Sequence, residues 1–374
     1  MNNLIFISNI SLKINSFSKA AIYAAKKNNL CFHYAANWSS ANSTQIESDK
    51  RDYGIQIHDI AIERSPLSLK NPKAYKQIKD IIQKEKIQFI HCNTPVGGIL
   101  GRLLNGNVRK VIYEAHGFHF YPGAPLKNWL IYYPIEKLLS KRTDAIITIN
   151  LDDYQFAIKH LHPRDKVYYV PGVGIETDQW RDGENIRKEI KIDEDDFIVL
   201  AVGRLEKNKN IGVILDAISI IKNKKVKLVI CGDGKDYIKL KKKAENLGIN
   251  DRVVFLGNRN DMINVYHSAD CYVLSSFREG LSRSLMEAMA CGLPCVVTNI
   301  RGNRDLIDSQ GGFVFRPPDK QKLATSIMKI NESSELRKSM SNHNLEKIKA
   351  FSLKTVTNKL AEIYKEQFCT EITK

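Results

Sequence analysis

Ser276-Phe277-Arg278-Glu279-Gly280-Leu281-Ser282-Arg283-Ser284-Leu285-Met286-Glu287 is the stretch from which the fold can be read. Before it runs the apolar segment Cys271-Tyr272-Val273-Leu274-Ser275, which reads as a buried strand. After it, Leu285-Met286-Glu287-Ala288-Met289-Ala290 are strong helix formers, closed by Cys291-Gly292 and Pro294. The order is strand, polar turn, helix, with one carboxylate on the turn and a second inside the helix. In a parallel α/β sheet such a turn lies at the carboxyl edge of the strands, where ligands bind. Backbone N–H groups of Gly280, Leu281 and Ser282 would face an anion there, and the helix dipole favours negative charge. With the helix beginning near Ser282, Glu287 sits roughly 7–8 Å along its axis at about 1.5 Å per residue. One carboxylate then binds hydroxyls on one side of a phosphate group and the other binds hydroxyls beyond it. A nucleotide sugar has that layout: ribose diol, pyrophosphate, hexose.

Glu279 and Glu287 enclose seven residues, and the segment resembles the E-x7-E motif of family 4 glycosyltransferases, retaining enzymes with the GT-B fold. Two acidic residues at this spacing also occur as a loop carboxylate followed by a solvated helix residue. The preceding strand, the Gly after the first Glu and the closing Gly292-Leu293-Pro294 favour the motif. The resemblance implies an α/β chain of two Rossmann-like domains facing across a cleft. It also implies that Glu279 holds sugar hydroxyls and Glu287 the ribose diol.

The remaining sequence agrees with that plan. Strand signals at Leu4–Ser8, Cys31–Ala36, Ile55–Ile60, Ile87–Cys92, Lys110–Ala115 and Ala145–Asn150 alternate with helical stretches, the pattern of a doubly wound parallel sheet. Asn71-Pro72 reads as a helix start with Asn as cap and Pro in the first turn. Pro171, Gly172 and Gly174 interrupt the pattern within Val167–Gly174, the expected joint. A second α/β unit follows, with strands expected at Phe197–Val202, Lys227–Cys231, Val253–Leu256, Cys271–Ser275 and Pro294–Thr298. The expected division is an acceptor-binding domain over 1–170 and a nucleotide-sugar-binding domain over 171–350. Residues 351–374 would form an amphipathic helix packing back on the first domain.

Arg204 and Lys209 lie on the loop after the second domain's first strand, where two cations can clamp a pyrophosphate. They resemble the family's G-R-x-x-x-x-K element, whose Arg and Lys hold the donor diphosphate. A solvated basic loop is the alternative, and the position directly after a strand favours the clamp. Gly232 and Gly234 end the next strand as the family's G-x-G turn does, and glycine there lets backbone approach a ligand. Leu256-Gly257-Asn258-Arg259 resembles the segment that reads the nucleobase, although turn chemistry explains Asn258 and Arg259 equally well. In the first domain, Tyr113-Glu114-Ala115-His116-Gly117 ends a strand. The resemblance makes His116 the residue that contacts the donor sugar near the reaction centre; His119 either joins it or packs. The loop Asn9–Ser16 lacks the glycine pair that many members carry, which leaves the acceptor contacts open. It also removes the G-x-G-x-x-G that a dinucleotide-dependent dehydrogenase needs.

The helix expected over Leu126–Arg142 combines Trp129 with Lys137, Lys141 and Arg142. It suits a membrane interface and equally a core helix whose cationic end answers the dipole. The chain's 374 residues carry a formal charge of +16, with an excess of 10 in residues 1–173 and of 6 in residues 174–374. Nucleic acid and an anionic membrane surface are both partners for such charge. The lysines are dispersed over expected helices without a basic, aromatic-interleaved face, so nucleic acid is not expected. No run of 18 apolar residues suggests a spanning helix, and Met1–Ser8 reads as a first strand, not a signal peptide. Seven cysteines without framework spacing fit a reduced cytoplasm.

The resemblance implies a retaining transferase that moves a hexosyl unit from a UDP-sugar, an N-acetylhexosamine by likeness to capsule and O-antigen enzymes. The acceptor would be a polyprenyl-diphosphate-linked saccharide, and the enzyme would sit peripherally on the cytoplasmic face of the membrane. No D-x-D element occupies an expected cleft loop, so no metal is expected. A nucleotide-sugar epimerase on the same plan is the alternative; a basic nucleic-acid-binding protein ranks third.

Overall fold

The computed structural model describes residues 2–369. Residues up to Gly174 and those from Leu353 on form one compact unit, and Ile175–Ser352 form a second.

The first unit is built on β1 (Asn2–Ile10), β2 (Leu30–Asn37), β3 (Gln56–Asp59), β4 (Phe89–Cys92), β5 (Lys110–Ala115), β6 (Ala145–Thr148) and β7 (Lys166–Tyr169). All pairings are parallel, in the order β3-β2-β1-β4-β5-β6-β7. The connecting helices are α1 (Ser16–Lys27), α2 (Ser43–Tyr53), α3 (Asn71–Lys84), α4 (Pro95–Leu103), α5 (Leu126–Ser140) and α6 (Leu151–His160). Strands covered on both faces read as unbroken apolar runs; Leu4, Ile5, Phe6 and Ile7 of β1 are fully buried. Alternate residues feed two cores. Leu4 and Phe6 pack with Ala21 and Ala25 of α1, while Ile5 and Ile7 pack with Ile78 and Ile82 of α3 and Leu100 of α4.

Two expectations are corrected here. Asn71 is not the cap of α3: Lys70 holds that position without a side-chain cap bond. Asn71 instead accepts from the Glu63 N–H at 3.0 Å and donates to the Ser65 carbonyl at 2.8 Å, so its amide is engaged by the preceding loop. Val167–Tyr169, read as part of the joint, belongs to edge strand β7, which pairs with β6. The chain leaves this unit only after Gly174.

The second unit carries β8 (Phe197–Val202), β9 (Val226–Cys231), β10 (Val253–Gly257), β11 (Cys271–Leu274), β12 (Cys295–Thr298) and β13 (Gly312–Phe315). These are again all parallel, in the order β10-β9-β8-β11-β12-β13. Its helices are α7 (Ile211–Ile220), α8 (Tyr237–Asn246), α9 (Met262–His267), α10 (Arg283–Ala290), α11 (Asn303–Leu306), α12 (Lys320–Glu332) and α13 (Ser334–Lys347). Finally α14 (Leu353–Tyr364) returns to the first unit. It buries Val356, Leu360, Ile363 and Tyr364, with Phe368 beyond it, in the same core as α1. Among the described residues no helix is long and apolar enough to cross a membrane. All seven cysteines are free.

Candidate active site

In a doubly wound sheet the crevice opens where the strand order reverses. In the second unit that point lies between β8 and β11, and the loops that leave those strands carry Lys209 and Glu279. The two loops are stitched together by backbone. Phe277 N–H donates to the Asn208 carbonyl at 2.8 Å, and Asn208 Nδ2 donates to the Arg278 carbonyl at 3.0 Å. Ser275 Oγ donates to the Lys209 carbonyl at 2.8 Å. Lys209 Nζ consequently meets Glu279 Oε1 at 2.7 Å, with only 18% and 13% of the two side chains exposed. The Lys209 stem lies along Gly203, where a Cβ would stand 3.3 Å from Lys209 Cε.

Ser282 caps α10, its Oγ accepting from Leu285 N–H at 3.4 Å, so the helix starts where the sequence places it. Gly280 and Leu281 form the turn in front of it. That turn is held from the next loop, where Arg301 Nε donates to the Glu279 carbonyl at 3.3 Å. Gly302, at φ +75°, lies so close that a Cβ would stand 2.2 Å from the Gly280 oxygen. Further along α10, Glu287 is buried. Tyr266 Oη donates to its Oε2 at 3.0 Å and Arg283 Nε to its Oε1 at 2.9 Å. Burial pushes this carboxyl above its ordinary range, with Arg283 offsetting part of the effect.

The other expected donor residues are placed differently from one another. Arg204 is on the same loop as Lys209 but 77% exposed, 3.6 Å from Glu206. Gly232 and Gly234 have a reason inside the protein. At φ +136°, a Cβ on Gly232 would lie 2.1 Å from the Gly203 carbonyl oxygen, and one on Gly234 would lie 2.5 Å from that of Leu205. They let neighbouring loop backbones close on each other. Asn258 is exposed directly after β10. Arg259 has its fork taken by Asp261, at 2.8 and 2.6 Å, and by Glu189 at 2.5 Å. These hydrogen bonds raise its pKa, and the guanidinium is committed to protein carboxylates.

In the first unit the order reverses between β1 and β4. Thr94 Oγ1 donates to Asn9 Oδ1 at 2.8 Å across that point. His116 follows β5 in a polar cluster: Asn93 Nδ2 lies 2.7 Å from His116 Nε2, and Glu114 Oε1 is 3.6 Å from the same nitrogen. Glu114 Oε2 is 3.1 Å from His91 Nε2, and His91 Nδ1 is 2.6 Å from Tyr364 Oη. Neither Asn93 nor Glu114 was singled out as chemistry from the sequence, nor were Tyr266 and Arg283. The available signal was Ile90-His91-Cys92-Asn93, two polar residues ending an apolar strand. His119 packs against Tyr132, the two rings tilted with centroids 4.7 Å apart.

Helix α5 places its expected interface residues on different sides. Trp129 turns inward, onto Phe120, Tyr133 and Phe156. The large apolar residues exposed on it are Leu126, Leu130, Ile131, Ile135 and Leu138. Glu136, on the buried side, pairs with fully buried Arg102 at 2.7 Å. Lys137, Lys141 and Arg142 are all exposed, at and just beyond the end of the helix.

Residues 182–347 match the family model of glycosyl transferases group 1, and residues 33–150 match that of glycosyl transferase 4-like proteins. The putative glycosyltransferase EpsD of Bacillus subtilis is 36% identical over 327 residues, covering 84% of this chain and 86% of that one. An Escherichia coli UDP-Gal:alpha-D-GlcNAc-diphosphoundecaprenol alpha-1,3-galactosyltransferase is 27% identical over 79% of this chain and 80% of its own. Among solved structures, Anabaena HepE in complex with UDP superposes with a TM-score of 0.80 at 20% identity, over 98% of this chain and 100% of that one. The chain belongs to the group 1, glycosyltransferase 4-like family and is a glycosyltransferase of the GT-B fold.

Proposed function

We propose that this glycosyltransferase moves a hexosyl unit, an N-acetylhexosaminyl group, from a UDP-sugar to a polyprenyl-diphosphate-linked saccharide with retention, in the synthesis of a surface polysaccharide. The observation that carries the reading is the Lys209–Glu279 pair at the switch point of the second sheet. A cation and a carboxylate 2.7 Å apart, in front of the capped N-terminus of α10, suit a ligand that is anionic at one end and rich in hydroxyls at the other. The UDP held by HepE and the lipid-diphosphate substrate named for the Escherichia coli relative support the two substrate classes.

In this mechanism the sugar C1–O bond to the diphosphate breaks while the acceptor hydroxyl attacks from the same face, its proton passing to the departing phosphate oxygen. Lys209, Arg204 and the N–H groups of Gly280, Leu281 and Ser282 stabilise the charge that grows on the diphosphate. Glu279 accepts hydrogen bonds from the transferred sugar, and Glu287 from the ribose diol, exchanging its contact with Arg283. Asn258 and Gly232–Gly234 border the nucleoside end. His116 donates a hydrogen bond to the sugar. Charge neutralisation by these groups requires no metal, so activity is expected to persist in EDTA.

We place the enzyme peripherally at the cytoplasmic membrane surface, with the exposed leucines of α5 and its terminal Lys137, Lys141 and Arg142 against anionic lipid. Incubating the purified protein with a panel of UDP-sugars and polyprenyl-diphosphate saccharides tests the reading. Acceptor-dependent release of UDP with an α-linked product is expected. Conversion of the sugar without acceptor would replace the proposal with an epimerase.

A further inference from the structure

The cluster around His116 is more elaborate than sugar contact requires. Asn93 and Glu114 are 2% and 6% exposed, and His91 and Tyr364 are fully buried. These residues come from β5, from β4 and the turn after it, and from α14, and they converge on one carboxylate. Asn93 Nδ2 approaches both His116 Nε2, at 2.7 Å, and Glu114 Oε2, at 3.5 Å. Only the amide N–H side of Asn93 can face a carboxylate oxygen without repulsion, so Glu114 decides which way that amide points. The N–H that meets His116 Nε2 then requires a lone pair there, and a neutral imidazole accepting at Nε2 carries its proton on Nδ1. His116 Nδ1 is buried and has no hydrogen-bond partner in the protein. A buried donor without an acceptor is costly to a fold, and a ligand oxygen would relieve that cost.

We propose that Asn93 and Glu114 are positioning residues for His116: Glu114 orients the Asn93 amide, Asn93 holds the neutral imidazole in its Nδ1–H form, and that N–H is the donor offered to a sugar oxygen. The inference rests on the reading of His116 as the sugar-contacting residue. The groups facing His116 are Glu114 and Asn93 directly, His91 and Tyr364 behind the carboxylate, and the edge of Phe17, with ring centroids 4.8 Å apart. Protonation would give Nε2 a hydrogen directed at the Asn93 N–H, so the arrangement opposes the imidazolium. Burial acts in the same direction and lowers the His116 pKa, with Glu114 countering it.

The test is nitrogen-15 NMR of the full-length protein labelled at histidine, with the His116 signals assigned by their loss in His116→Gln. At pH 7.5 the wild-type ring is expected as the Nδ1–H tautomer. Asn93→Asp puts an oxygen against Nε2, so the proton is expected to move to Nε2, or the ring to titrate at higher pH. kcat/KM should fall by up to about a hundredfold, as for a misoriented catalytic contact, and the acid limb of its pH profile should move upward. Should Asn93→Asp fail to fold, Glu114→Gln serves: the Nδ1–H form is expected to lose its dominance. An Nε2–H tautomer in the wild type overturns the proposal. So does a substituted chain that keeps both the wild-type tautomer and the wild-type pH profile. Because the tautomer is read without substrate, an inactive chain with the expected signals would count against the transferase reading alone.

Discussion

Lys209 and Glu279 are seventy positions apart in sequence and 2.7 Å apart in space. A loop–loop hydrogen-bond ladder holds them, so removing either side chain leaves the backbone of both turns supported. Glu279→Ala and Lys209→Ala should therefore cut kcat by about 10² to 10³ with the circular dichroism spectrum unchanged. Near-normal turnover in either variant would take that residue out of the site. Glu287 answers to a different balance. Its folded pKa is raised by burial, so the fold binds the proton more tightly than the unfolded chain does. That contribution is present below about pH 4.5, the ordinary Glu range, and is lost as pH rises through the folded value. At pH 7.5 the buried charge is a cost, and Arg283, half exposed, returns little of it. Glu287→Gln should thus hold or raise Tm at pH 7.5, with the advantage shrinking toward pH 4, while UDP affinity falls; a Tm drop that is largest at pH 7.5 would show that the carboxylate stabilises the fold. Both carboxylates could be read from spacing because strand, turn and helix bracket them. The partners of Glu287 could not, since Tyr266 and Arg283 carry no local signature that separates ligand-facing from protein-facing side chains.

At the scale of elements, strands buried on both faces were legible because they are unbroken apolar runs, and β13 was missed because Gly312-Phe313-Val314-Phe315 is short and opens on glycine. Helix α2 was missed for the opposite reason: Ser43–Tyr53 is almost wholly polar and buries only Asp49. Helix α5 shows what periodicity leaves open. Aromatic and basic residues together suggested an interface, but the aromatic Trp129 faces the core while Leu126, Leu130 and Leu138 do not. The buried Arg102–Glu136 pair fixes that rotation, and a partner 34 residues away cannot be read from a helical wheel. Replacing Lys137, Lys141 and Arg142 with Gln should lower affinity for vesicles containing anionic lipid by about 1 kcal/mol per residue, and 0.5 M salt should erase the difference. Leu130→Ser with Leu138→Ser should weaken binding at either salt concentration. Unchanged vesicle binding in both would leave α5 as a packing helix.

For the whole molecule, the decisive feature is that the chain makes two separate cores and that its last helix serves the first one. The joint was legible as Pro and Gly residues, yet its position slipped because β7 reads as loop: four residues, none fully buried. The return of α14 follows from its amphipathic stripe, whose Val356, Leu360 and Ile363 lie on one face with Tyr364 beside them. All four join the core that β1, β2 and α1 share, and none belongs to the core of the second unit. Leu360→Ala should therefore cost the first unit about 2–5 kcal/mol, the range for truncating a buried leucine. Hydrogen exchange read by mass spectrometry separates the units: peptides from β1, β2, β4 and α1 should lose protection, whereas those from β8, β9 and β11 should keep theirs. UDP binding, assigned to the second unit alone, should be unchanged under conditions where the first unit stays folded. Equal loss of protection in both units would mean that the chain unfolds as one cooperative body despite its two cores.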